Sequence, residues 1–143
     1  MDKLKNSILD KFKEISKRFF LMQKEIVTTL KINKSEYKVL TFLALHNEMT
    51  QTILGEACGF DKPATSRIVL KLLLQGYILK TYKKGNKKNI YISLSEKGKE
   101  KAKLIGDELC KIREKYFKEL SQKETNIFLS LLDKSLNLEA QNA

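Results

Sequence analysis

The stretch TQTILGEACGFDKPATSRIVLKLLLQGYILK, from Thr50 to Lys80, decides the fold. Thr50 can cap a short helix through Ile53, Leu54 and Ala57. CGFDKP then breaks the helical pattern. Gly59 suits a tight connection, Asp61 is a suitable N-cap, and Pro63 fits the first turn of a new helix, where a missing N–H costs little. That helix runs from about Lys62 to Gln75 and stops at Gly76, the residue expected in the left-handed conformation.

Downstream, Tyr77, Ile78, Leu79, Thr81 and Tyr82 favour a strand. Ile90, Ile92 and Leu94 alternate with Asn89, Tyr91 and Ser93, the period of a half-buried strand. Gly85 and Asn86 lie between, so the two strands read as a β-hairpin. Upstream, Asn33 with Glu36 reads as a capping box opening a helix that carries Tyr37, Val39, Leu40, Phe42, Leu43 and Leu45.

The ends of the chain are helical. Leu4, Ile8, Phe12, Ile15, Phe19, Met22, Ile26 and Leu30 recur every third or fourth position, which predicts one helix from about Lys3 to Lys31. Ser95 can cap a long helix with Ala102, Ile105, Leu109, Ile112 and Tyr116 on one face. Ser121 and Glu124 form a capping box ahead of Ile127, Phe128, Leu131, Leu132 and Leu136. The fold class is therefore mainly α with a small β-hairpin wing, a winged helix-turn-helix flanked by N- and C-terminal helices.

The 143 residues suffice for one domain, and a hydrophobic content of 42% excludes a purely disordered chain. No apolar run approaches the ~20 residues that span a bilayer. The charged start MDKLKNSILDKF lacks the features of a secretion signal. A cytoplasmic protein with no membrane partner is expected. Cys58 and Cys110 have no neighbours at metal-ligand spacing, and His46 is the single histidine, so no metal or cofactor is expected. There is no glycine-rich phosphate loop or nucleophile elbow, so an enzyme is not expected.

Charge gives the direction. The net charge is +11, yet the window from Lys62 to Ser95 holds eight basic residues and no Asp or Glu. The other 109 residues hold 20 basic and 17 acidic groups. Such a concentration of positive charge is the footprint of a polyanion partner. A helix-turn-helix places the N-terminal part of its second helix at base edges in the major groove. Here that segment offers Lys62, Pro63, Ala64, Thr65, Ser66, Arg67 and, one turn on, Lys71. Small residues allow close approach, hydroxyls can bond to bases or phosphates, and Arg67 can grip guanine bidentately or bind phosphate. The helix N-terminus itself favours a phosphate. Taken singly, each of these residues also fits an ordinary exposed helix surface. The wing residues Lys83, Lys84, Asn86, Lys87 and Lys88 form a cationic tip whose self-repulsion phosphate contacts would offset.

The architecture and particular residues resemble the MarR family of winged-helix transcriptional regulators. The stretch Thr50–Lys80 looks like that family's helix-turn-helix, and GNKKNIYISLSEKGKEKAK is similar to its wing and the following helix. LSEKGKE is close to the family's Leu-Thr-x-x-Gly-x sequence, with Ser95 in place of Thr. Where the family's wing carries Asp-Arg-Arg, this chain has Asn86, Lys87 and Lys88. The resemblance implies a single domain over 1–143, with a winged core over about 33–95. The segments 1–32 and 96–143 would be dimerisation helices. It further implies a homodimer on double-stranded DNA, a pseudo-palindromic operator and a repressor released by a small-molecule effector or another signal. In such regulators the ligand site lies between the dimerisation helices and the core. Tyr37, Phe42 and His46 are candidates to line it, though core packing explains them better, and His46, at the end of its helix, fits a helix C-terminal partner. Cys58 before the recognition helix fits a small buried hydrophobe better than a redox switch. Two other classes stay open: a non-specific basic module for RNA or ribosomes, and a protein–protein adaptor using the winged helix as a scaffold.

Overall fold

The computed structural model describes residues 7–83 and 90–142. Among them are six helices and a three-stranded antiparallel sheet, the winged-helix arrangement expected. The elements are α1 (Ile8–Thr29), α2 (Lys34–His46), β1 (Glu48–Thr50), α3 (Gln51–Cys58), α4 (Lys62–Leu74), β2 (Ile78–Tyr82), β3 (Ile90–Leu94), α5 (Glu96–Tyr116) and α6 (Gln122–Asn142). The chain divides into two compact units, Met1–Leu109 and Cys110–Ala143.

Local chemistry sets most boundaries. Ser7 caps α1 by accepting from the Asp10 N–H, so this helix begins at Ile8. Residues 3–6 of the expected helix lie outside the described residues. Asn33 and Glu36 form the expected capping box on α2, with the Glu36 N–H donating to Asn33 Oδ1 at 2.8 Å. Thr50 caps α3 and Asp61 caps α4.

Both helices of the central pair end in the same way. At the end of α3 the Phe60 N–H reaches back to Gly55 O, with Gly59 at φ 73°. At the end of α4 the Tyr77 N–H reaches Leu72 O, with Gly76 at φ 79°. These closures satisfy orphan carbonyls and need a left-handed residue, which glycine adopts without strain.

The sheet order is β1-β3-β2. β2 and β3 are the expected hairpin, with Ile78 opposite Leu94 and Tyr82 opposite Ile90. β1 was not expected from the sequence. Its three residues pair with β3, Met49 opposite Ile92, and bury Met49. A strand this short has no readable period, and its pairing partner lies more than 40 positions away.

The core of the first unit is apolar and continuous. Val39, Leu40 and Leu43 of α2 are buried with Leu54 of α3, Val69 and Leu72 of α4, Ile78 and Ile92 of the sheet, Ile26 of α1 and Ile105 of α5. The LSEKG segment locks the hairpin to α5. Ser95 Oγ accepts from the Gly98 N–H at 3.0 Å and donates to Gly76 O. A side chain at Gly98 would run into the Tyr77 carbonyl, whose carbon lies 3.0 Å from where a Cβ would stand.

On α1 only the last part of the apolar stripe is covered. Met22 and Ile26 are buried, while Ile8, Phe12, Ile15 and Phe19 are exposed. In the second unit, Ser121 and Glu124 close their capping box at the head of α6. Phe117, Leu120, Phe128 and Leu129 line a cleft there of about 400 Å³. Ile127, Leu131 and Leu136 of α6 are exposed.

Candidate nucleic-acid interface

Helix α4 has two faces. Thr65, Ile68, Val69 and Leu72 are buried, while Lys62, Pro63, Ser66, Arg67, Leu70, Lys71 and Leu74 are exposed and Ala64 is half-buried. The exposed set follows helical spacing, so it forms one stripe along the outside of the helix. Lys62, Ser66, Arg67 and Lys71 therefore share the outward surface that the sequence suggested.

Thr65 does not share it. Its hydroxyl donates to Asp61 O at 2.7 Å, and its side chain lies against Gly55 of α3. The expectation that this hydroxyl faces a partner is corrected: one helical position turns Thr65 inward, where it sets the approach of α3 and α4. The N-terminus of α4 is also occupied. Asp61 Oδ1 accepts from the Ala64 N–H at 2.8 Å, so a carboxylate stands where a phosphate was expected. An anion there meets a negative side chain as well as the helix dipole.

Ser66 is held by a residue outside the expected site. Gln51 Nε2 donates to Ser66 Oγ at 3.2 Å, joining the starts of α3 and α4. Thr50, Gln51, Lys62, Ser66 and Ile90 line a groove of about 390 Å³ at this junction. The signal for Gln51 is its place as the first residue of α3, but its partner depends on how the two helices cross.

Lys71 is engaged rather than free. Its Nζ lies 2.6 Å from Glu36 Oε1, and the Glu36 side chain is only 9% exposed. Glu36 thus serves twice, closing the cap of α2 and binding α4. Arg67 lies beside Asn33, Ser35 and Ala64 at the head of α2.

The expected wing residues divide. Lys84, Asn86, Lys87 and Lys88 lie outside the described residues. Lys83 is described and exposed. Its Nζ sits 3.0 Å from Glu48 Oε1 and 4.1 Å from the centre of the Tyr91 ring. The Glu48 carboxylate beside it pushes the Lys83 ammonium above the ordinary lysine range. Glu48 belongs to β1, which is why its role was not readable locally.

Of the remaining candidates, Tyr37 and Cys58 are packing residues, while Phe42 is half-buried and His46 is exposed in the last turn of α2. Tyr37 is buried, and desolvation pushes its phenol above the ordinary value against an opposing bond with Gln23. Phe42 and His46 stack with ring centres 4.4 Å apart. Cys58 is buried; desolvation pushes its thiol up, and the charge of Lys38 partly opposes this. Among the described residues there is no cluster of His, Cys, Asp or Glu able to hold a metal, and no helix is long and apolar enough to cross a membrane.

A model of the MarR family matches residues 32–90, the span that contains α2 to the start of β3. Among solved structures, the chain is similar to a MarR family transcriptional regulator from Silicibacter pomeroyi DSS, with a TM-score of 0.81 and 16% identity, over 98% of this chain and 94% of that one. It is similar to NadR in complex with 4-hydroxyphenylacetate, with a TM-score of 0.78 and 15% identity, over 96% of this chain and all of the other. It is also similar to wild-type MarR in its apo form from E. coli, with a TM-score of 0.74 and 18% identity, over 91% of this chain and 96% of that one. No curated protein matches the sequence. At these identities the structural likeness shows a shared fold.

Proposed function

We propose, on the match of residues 32–90 to the MarR family model, that the protein is a transcriptional regulator that binds double-stranded DNA as a homodimer. The observation that carries this reading is the outward stripe of α4. It presents Lys62, Ser66 and Arg67 on a helix-turn-helix, with Lys71 beside them held by Glu36, in a sequence window with no acidic residue. Arg67 is the principal base or phosphate contact, with Ser66 held ready by Gln51 and Ala64 allowing close approach. Lys83, Lys84, Asn86, Lys87 and Lys88 form the wing contact along the phosphates.

The dimer reading rests on uncovered apolar surface. Ile8, Phe12, Ile15 and Phe19 line α1, and Ile127, Leu131 and Leu136 lie on α6. Exposed stripes of this length mark an interface, and pairing of the segments 1–32 and 96–143 with a second copy would cover them. The winged core, about 33–95, then appears twice on a two-fold axis. Its operator is pseudo-palindromic, with half-sites roughly 34–36 Å apart. Repression released by a small-molecule effector, and a cytoplasmic location beside the chromosome, complete the reading. The bound 4-hydroxyphenylacetate of NadR makes small aromatic acids the first effectors to try.

The test is competition at fixed salt between genomic fragments recovered with the protein and random duplex. Preference for the recovered fragments supports a regulator; equal affinity would sink it and leave a non-specific basic module. Arg67→Ala costs about 1–3 kcal/mol and relaxes preference if Arg67 reads a base. A monomer by sedimentation would remove the two-fold operator.

A further inference from the structure

Helix α4 carries two leucines that its packing does not use. Leu70 is 57% exposed and Leu74 is 80% exposed. Leu70 follows Ser66 by four positions and Arg67 by three, so the three lie on one helix face. The buried face of the helix is already filled by Ile68, Val69 and Leu72. Leu70 is therefore an apolar point between cationic neighbours, flanked by Arg67 and Lys71.

Charge selects what can cover it. The window from Lys62 to Ser95 has no Asp or Glu, so the occupant is a polyanion that also offers an apolar group between its charges. In duplex DNA the major groove presents such a group, the thymine C5-methyl. We propose that Leu70 is a specificity-determining residue that reads a thymine methyl in each half-site. This rests on the reading of α4 as the helix that enters the groove. Leu70 stands about 4.5 Å along the helix axis from Arg67, at 1.5 Å per residue, close enough to address a neighbouring base pair. Leu74 lies about 6 Å further toward the C-terminus, away from the N-terminal residues that reach base edges. It serves as the control.

The experiment uses the full chain and duplexes selected by it from a random-sequence pool. Each thymine of a selected duplex is replaced singly by uracil, which removes one methyl group and keeps the hydrogen-bonding edge. At one position in each half-site, uracil weakens wild-type binding about fourfold, the effect of burying one methyl-sized group. Leu70→Ala binds the thymine and uracil duplexes equally, and Leu74→Ala keeps the wild-type preference. Wild-type indifference to uracil at every position overturns this inference alone, as does a preference that persists in Leu70→Ala. A change of oligomeric state in Leu70→Ala assigns Leu70 to a protein contact and also overturns it. Failure to select any duplex overturns the DNA reading and this inference together.

Discussion

Gly55 and Thr65 meet where α3 crosses α4, and the space between them has no room for a methyl group. A Cβ at Gly55 would overlap Thr65 Oγ1 and stand 3.1 Å from its Cγ2. Thr65 cannot swing aside easily, because its χ1 is stiff and its hydroxyl is bonded to Asp61 O. Gly55→Ala is expected to destabilise the fold by about 1–3 kcal/mol, the range for overpacking. Thr65→Ala removes both obstructing atoms, so the double variant loses less than the sum of the single ones. Urea unfolding of the four proteins checks this; strict additivity would mean that the two residues do not compete for space.

Lys71 and Glu36 provide a second test. Removal of one partner leaves a largely buried carboxylate without its cation, softened by the partial exposure of Lys71. Lys71→Met is expected to cost about 1–2 kcal/mol in urea unfolding. Because Lys71 is committed to Glu36, the slope of log affinity for DNA against log salt should change by well under one unit. A fall of about 1 would show that Lys71 neutralises a phosphate instead.

Glu48 holds Lys83 against β1 and Tyr91. A lysine shared with a carboxylate is less available to phosphate. Glu48→Gln therefore raises DNA affinity and steepens the salt slope by up to about 0.9 for each added phosphate contact. Fluorescence anisotropy over a salt series measures both, and an unchanged slope would count against any wing contact by Lys83.

Burial of Cys58 gives a dependence on pH. The folded chain holds this thiol protonated more firmly than the unfolded chain does. That contribution is complete below the unfolded value, about 8.5 for a free thiol. It declines as pH rises from there through the raised folded value, because the unfolded state ionises first. Tyr37 acts in the same direction at higher pH. The urea midpoint is thus expected to be level from about pH 7 to 8 and to fall above about 8.5. Cys58→Ala should shift the whole curve by lost packing and flatten the first part of the fall. The same steepness in both proteins would locate the alkaline loss elsewhere.

The caps, the turn glycines and the apolar periods were legible in the sequence because each rests on residues three to five positions apart. Asn33 with Glu36, Thr50, Asp61, Ser95 and Ser121 act on backbone groups within their own helix turn, and Gly59 and Gly76 on their own dihedral angles. The order of the helices and the hairpin follows from those local signals, and so does the cationic outward stripe of α4; β1 does not. The tertiary structure alone decided that Thr65 faces Gly55, that Lys71 is bound to Glu36, that Gln51 holds Ser66, and that β1 brings Glu48 to Lys83. Each of these pairs joins different elements. Their meeting depends on helix crossing and strand register, which are fixed by the packing of the whole core rather than by any one segment.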